Sequence, residues 1–250
     1  MEGGRSLIIH CGRTDRQDVI RAEPPSLTTG ACYIHVATLD ELRPMAGTFL
    51  AHINTEERAR ADRFRFEADR ERFLLGHGWM RKLLSHYTGT PPAAIATVRG
   101  RFGKPALAEG GPYFNLSDTK DAVAFAVCAT VEVGLDLETM DRRVDHDAVG
   151  AHYFTPEEQL TIARSEDQKC TFLELWTRKE AFLKACGVVI MDDLLSLLVD
   201  EAVNPLTIRH AEFKAMAAPE YHVRTWRTDN IHLISLATPR PMDRILFFGA

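Results

Sequence analysis

Asp136 and Glu138 stand two residues apart in Val133-Gly134-Leu135-Asp136-Leu137-Glu138, where Val131, Val133, Leu135 and Leu137 alternate with polar or small residues. A period of two marks a half-buried strand, so both carboxylates project from its non-apolar face. They would lie about 7 Å apart. Like charges on one strand face repel, a cost that a bound hard cation would remove, provided a further oxygen ligand arrives from elsewhere. Glu180, in Trp176-Thr177-Arg178-Lys179-Glu180-Ala181-Phe182-Leu183-Lys184, is the candidate. Glu180 and Lys184 share a helix face at i and i+4. Alone, such a pair is a surface contact of a few tenths of a kcal/mol; beside two carboxylates it becomes a base and a cation. Lys104, between Gly103 and Pro105, sits on a turn suited to presenting an ammonium to a phosphate, and Ser117 closes Phe114-Asn115-Leu116-Ser117 at a strand end.

Elements that would position these groups follow from the pattern. Residues 1–30, with Gly3-Gly4 and Pro24-Pro25, read as an extension or poorly ordered arm. Ala31–Thr38 reads as a strand, and helices are expected near 40–50, 55–66 and 70–88, the last ended by Gly89 with Pro91-Pro92 beyond. Tyr113–Ser117 and a hairpin of Ala122–Cys128 with Val131–Glu138 come next. Thr155-Pro156-Glu157-Glu158 is a helix start with a capping box, and a helix over 167–186 is closed by Gly187. Strand patterns occupy 207–213, 221–226, 231–237 and 245–248. Helices then strands, twice, predict an α+β chain of two similar halves, 31–130 and 131–250. Trp79-Met80-Arg81-Lys82 and Trp176-Thr177-Arg178-Lys179 echo each other on the two long helices.

Composition narrows the partners. The net charge of −5 and pI near 6.1 argue against nucleic acid as a partner. Arginines cluster over 58–81, diluted by acidic neighbours into a solvated helix surface. Five cysteines without CxxC spacing speak for reduced thiols, and no apolar run reaches the ~20 residues of a membrane span. A cytoplasmic protein without a membrane partner is expected.

In order and spacing, Arg72 with Leu74-Leu75-Gly76, Gly103-Lys104-Pro105, Phe114-Asn115-Leu116-Ser117, Gly134-Leu135-Asp136-Leu137-Glu138, Phe154 with Glu157 or Glu158, and Trp176 with Lys179-Glu180-Ala181 and Lys184 resemble the surfactin-type 4′-phosphopantetheinyl transferases. The resemblance implies a pseudo-dimeric fold with its active site between the halves. It implies transfer of the phosphopantetheine arm of coenzyme A to a serine of an apo acyl or peptidyl carrier protein, by a monomer. It further implies Mg²⁺ held by Asp136, Glu138 and Glu180, catalysis by Glu180 and Lys184, and coenzyme A contacts from Arg72, Lys104, Ser117, Asp118, Lys179 and Lys184. Two positions depart from the family pattern. Asp118 stands where a histidine is common, and would repel an anion unless paired, with Lys120 a nearby partner; Val189 replaces a glycine after the second long helix. A non-catalytic binding homologue and a Mg²⁺-dependent nucleotide hydrolase are the competing readings. The latter lacks a P-loop glycine cradle.

Overall fold

The computed structural model describes residues 5–142, 150, 152–188, 195, 197–208, 211–229 and 231–250. Within them the second half repeats the plan of the first. The first half runs from β3 (Ala31–Thr38) through α1 (Leu39–Leu42), α2 (Ala46–His52), α3 (Thr55–Ala61) and the long α4 (Glu67–Thr88) to the hairpin β6 (Tyr113–Asp118) and β7 (Ala122–Cys128). The second runs from β8 (Gly134–Thr139) through α5 (Pro156–Arg164) and α6 (Gln168–Cys186) to the hairpin β10 (Glu220–Arg227) and β11 (His232–Thr238). In each, the last strand pairs antiparallel with both others, giving the orders β3-β7-β6 and β8-β11-β10. A short ribbon of β4 (Thr97–Arg99) and β5 (Pro105–Leu107) precedes β6.

Side-chain alternation sorts three cores. Val123, Phe125 and Val127 of β7 pack under α4 with Tyr33, Trp79 and Leu84. Its small residues Ala122, Ala124, Ala126 and Cys128 meet Leu135, Leu137, Trp226 and Ile234 of the other sheet. Phe172, Leu173, Phe182 and Leu183 bury the inner face of α6 on Leu7, Ile9, Val223 and Leu233. The two sheets share the middle core and each carries its helix outside, the α+β pseudo-dimer expected. Gly89 and Gly187 end the long helices at φ 73° and 69°, conformations open to glycine. Thr155 and Glu158 form the anticipated capping box on α5.

Several expectations need correction. Residues 5–11 are no loose arm: β1 (Arg5–Cys11) lies inside the second sheet, parallel to β10 and antiparallel to β9 (Val203–Ile208). Leu7, Ile9 and Cys11 alternate into its core, a pattern too short to stand out among the charges around it. β2 (Asp15–Arg16) adds to β10. The tail closes the first sheet instead, with β12 (Arg244–Gly249) parallel to β3. The expected hairpin of 122–128 with 131–138 does not form, because β7 and β8 belong to different sheets. The strand predicted over 207–213 is β9 followed by a short helix, α7 (Ala211–Met216). All six residues of β8 are buried, not half-buried, since α6 covers one face and the first sheet the other. Val189 lies outside the described residues.

Candidate functional site

β8 is the edge of its sheet, and the edge of the other sheet, β6, lies beside it without a backbone ladder. The polar letters of Phe114-Asn115-Leu116-Ser117 bridge this seam. The Leu135 amide donates to Asn115 Oδ1 at 2.8 Å and the Leu137 amide to Ser117 Oγ at 3.1 Å, so side chains from one half satisfy edge N–H groups of the other. Ser117 is consequently committed to the seam. Its hydroxyl donates to Asp136 Oδ1 at 3.1 Å and accepts from Lys184 Nζ at 3.2 Å. The sequence reading assigned Asn115 no role of its own; its signal is the alternation of Asn115 and Ser117 on one face of β6 with Phe114 and Leu116 on the other.

Asp136 and Glu138 do share one face of β8, the face under α6. Gly134 explains how the helix comes so near: a Cβ there would stand 2.0 Å from the Ala181 carbonyl oxygen and 2.2 Å from the Ala185 nitrogen. Lys184 Nζ meets Asp136 Oδ1 at 2.6 Å. Glu138 is bound by Arg142, a partner the sequence reading missed. Burial, then the Asp136 charge, pushes the Glu180 carboxyl above its ordinary range, with Lys184 and Arg142 pulling back. Asp136 and Lys184 thus both act electrostatically on Glu180.

The donor set suits a hard divalent cation. Asp136 Oδ2 is buried without a hydrogen-bond partner, an expensive state for a carboxylate oxygen. The neighbouring carboxyl, Glu180, is held toward its protonated form. A divalent ion bound by Asp136 Oδ2 and Glu180 would relieve both costs; Glu138 is held by Arg142, and the three carboxylates do not converge into one ligand cluster in this arrangement.

The anion-facing residues divide. Arg72 donates through Nε to Asp118 Oδ1 at 2.6 Å, and its Nη2 lies 2.9 Å from Asp69 Oδ1 as an ion pair. Asp118 is therefore paired, but with Arg72 and not with Lys120, which reaches Asp141 at 3.5 Å. Arg72, Asp118, Lys120, Glu138 and Arg142 line a cavity of about 470 Å³. Lys104 Nζ meets Glu132 at 2.5 Å and lies 3.5 Å from the Ala185 carbonyl, at the mouth of a second cavity of about 610 Å³ that includes Tyr113, Phe114, Gly187 and Met216.

Lys179 is the exception. Its side chain is 2% exposed and lies in the core, pairing with the wholly buried Glu158 at 2.6 Å, donating to the Tyr153 carbonyl at 2.8 Å and lying over the Phe154 ring. Desolvation pushes Lys179 down and Glu158 up, against their mutual attraction. The expectation that Lys179 contacts a coenzyme A phosphate does not hold in this arrangement: the side chain fastens α5 to α6. Of Glu157 and Glu158, the second carries the contact.

Two α+β halves of like plan meet along a seam bordered by Asp136, Ser117 and Lys184. A family profile described as 4′-phosphopantetheinyl transferase superfamily matches residues 132–234, and one described as 4′-phosphopantetheinyl transferase, N-terminal, matches 43–130. The 4′-phosphopantetheinyl transferase HetI of a Nostoc species is 34% identical over 173 residues, 66% of this chain and 73% of that one. The transferase psf-1 of Bacillus pumilus is 29% identical over 207 residues, 81% and 83% of the two chains. AcpT of Escherichia coli K12 is 36% identical over 121 residues, 47% and 58%. The chain belongs to the 4′-phosphopantetheinyl transferase superfamily. No helix among the described residues is long and apolar enough to cross a membrane.

Proposed function

We propose that this chain moves the 4′-phosphopantetheine arm of coenzyme A onto a serine hydroxyl of an apo carrier protein and releases adenosine 3′,5′-bisphosphate. One observation carries the reading: a lysine-bound aspartate with an orphaned buried oxygen, beside a glutamate of raised pKa, on the seam between the halves. Mg²⁺ held by Asp136, Glu138 and Glu180 would neutralise charge on the pyrophosphate. Glu180, its carboxyl raised above the ordinary range by burial, takes the serine proton directly or through one water. The serine oxygen bonds to the phosphorus that bears the arm as the bridging P–O bond breaks, and the nucleotide bisphosphate leaves with the electron pair. Lys184, exchanging Asp136 for substrate oxygen, stabilises charge on the transferring phosphoryl group. Lys104 and Arg72 flank it as phosphate partners, each first giving up a carboxylate, Glu132 or Asp118. Arg63, Arg65 and the 60%-exposed Phe66 offer a basic, apolar face for an acidic carrier helix.

A fluorescent coenzyme A conjugate, Mg²⁺ and several apo carrier proteins test the reading. Labelled carrier, lost in Glu180→Gln, is expected. Coenzyme A binding with no carrier labelled would mean a binding module; nucleotide release without a carrier would mean a hydrolase.

A further inference from the structure

The second sheet is wider than the first, because β1 and β9 extend it beyond β10. On β1, Leu7, Ile9 and Cys11 enter the core under α6, while Ile8 and His10 on the opposite face are left part exposed. That uncovered face carries a group the transferase chemistry does not use. His10 and His222 are register partners in the parallel β1–β10 pair, and their rings stack 4.7 Å apart at 9°. Glu220, two residues before His222 and so on its face of β10, sends one oxygen toward each ring: Oε2 lies 3.8 Å from His10 Nε2 and Oε1 3.8 Å from His222 Nε2.

Neither contact is short enough for a hydrogen bond. His222 Nε2 is shielded from solvent yet has no partner. The three ligand atoms lie within 4.8 Å of one another. Around a tetrahedral zinc such atoms stand about 3.3–3.5 Å apart. Because the stacked rings send their lone pairs side by side, closure requires both imidazoles to turn out of the stack, a motion open to side chains that are 36%, 25% and 48% exposed for His10, His222 and Glu220. Arg224, the cation lining the same cavity of about 320 Å³, is drawn off toward Asp15 at 3.7 Å and lies over Trp226.

We propose that His10, His222 and Glu220 form a second metal site that takes a divalent transition ion of the zinc type. Two imidazoles with one carboxylate select Zn²⁺ over Mg²⁺ or Ca²⁺, which prefer all-oxygen shells. With three protein ligands, a fourth position would be left to water. The site pins the N-terminal strand to β10, on the opposite sheet face from Asp136, and so acts on the attachment of β1 and not on transfer.

The test titrates Zn²⁺ into the untagged full-length protein in excess Mg²⁺, which occupies oxygen sites without competing for imidazole. One zinc per chain is expected, with the melting temperature raised by roughly 5–10 °C at a hundredfold excess over the dissociation constant. His222→Ala and His10→Ala should each weaken binding by more than about tenfold, with carrier labelling unchanged in Mg²⁺. The surface control His86→Ala should bind as wild type. Co²⁺ should give a nitrogen–oxygen spectrum without a thiolate charge-transfer band. Absence of binding, wild-type affinity in both histidine variants, or a thiolate band assigning the ion to the cysteines would overturn the proposal.

Discussion

In the first half, His35 of β3 shares a hydrogen bond of 2.7 Å with Tyr87 of α4; in the second, Asp136 of β8 meets Lys184 of α6 at 2.6 Å. The positions correspond. Thr38 and Thr139 each face the first residue of their sheet's middle strand, Ala122 and His232, and His35 and Asp136 lie three residues earlier. Taking Trp79 with Trp176, Tyr87 falls on Lys184 and Leu83 on Glu180. One scaffold therefore carries an aromatic plug in one half and an ionic site in the other. His35 is ringed by Trp79, Tyr87, Phe125 and Phe248, and burial holds its pKa down to about 3. At Asp136 the helix sits on Gly134, and the opposing edge β6 supplies hydroxyl and amide groups where the first half supplies rings. The difference teaches that the strand-to-helix contact is the conserved geometry of the duplication, while its chemistry depends on what borders it.

Exchanging rate for stability across that equivalence gives the largest effect. Glu180→Gln should lower kcat about 10²–10⁴-fold with the melting temperature unchanged or raised, because a strained carboxyl is removed. Leu83→Ala, the matching position, should cost about 2–5 kcal/mol of stability and leave kcat intact. Urea melts and single-turnover labelling read both; equal rate losses in the two variants would break the comparison.

Lys179→Met tests the buried Lys179–Glu158 pair. Leaving Glu158 without its partner should cost about 3–5 kcal/mol, seen as a lower denaturation midpoint, while KM for coenzyme A in the folded protein stays within about twofold. A large KM rise at unchanged stability would return Lys179 to phosphate binding.

The aromatic plug should show itself in acid. His35 titrates below its ordinary 6.5 in the folded chain, so as pH falls the unfolded chain takes up the proton first. Stability should then drop from about pH 6.5 downward, at up to about 1.4 kcal/mol per pH unit from this group. The double variant His35→Phe, Tyr87→Phe removes both polar partners together and should flatten that limb of the curve measured by urea melts between pH 6.5 and 4.

Asp118→Ala should have the smallest effect. Freeing Arg72 at the 470 Å³ cavity should lower KM for coenzyme A a few fold, more at low salt than at high; an unchanged KM at low salt would remove Arg72 from the phosphate site.

Much of the site was legible because its spacings are local. Period two set Asp136 and Glu138 on one face of β8, and i,i+4 set Glu180 above Lys184, whatever the rest of the chain does. Gly89, Gly187 and the Thr155–Glu158 box likewise act within a turn or two. What the pattern could not carry was pairing between distant segments. Apolar alternation in Leu7-Ile8-Ile9 does not say that β1 lies beside β10, nor does the run at 122–138 say that its two strands part into different sheets. Lys179 looked like Lys184, both cationic and five residues apart. That interval turns a helix well over a third of the way round, so one side chain enters the core toward Glu158 while the other enters the seam.

The amino-acid sequence by itself determined the duplicated helix-then-strand plan, the carboxylate pair with its glutamate–lysine partner, and the resemblance that ordered them, because each depends on short-range periodicity. Only the tertiary structure decided which cations reach those carboxylates, that Asn115 and Ser117 close the seam, and that His10, His222 and Glu220 converge. Apart from Arg142 with Glu138 and His222 with Glu220, those contacts join residues tens to hundreds of positions apart, where burial and strand register, not spacing, choose the partner.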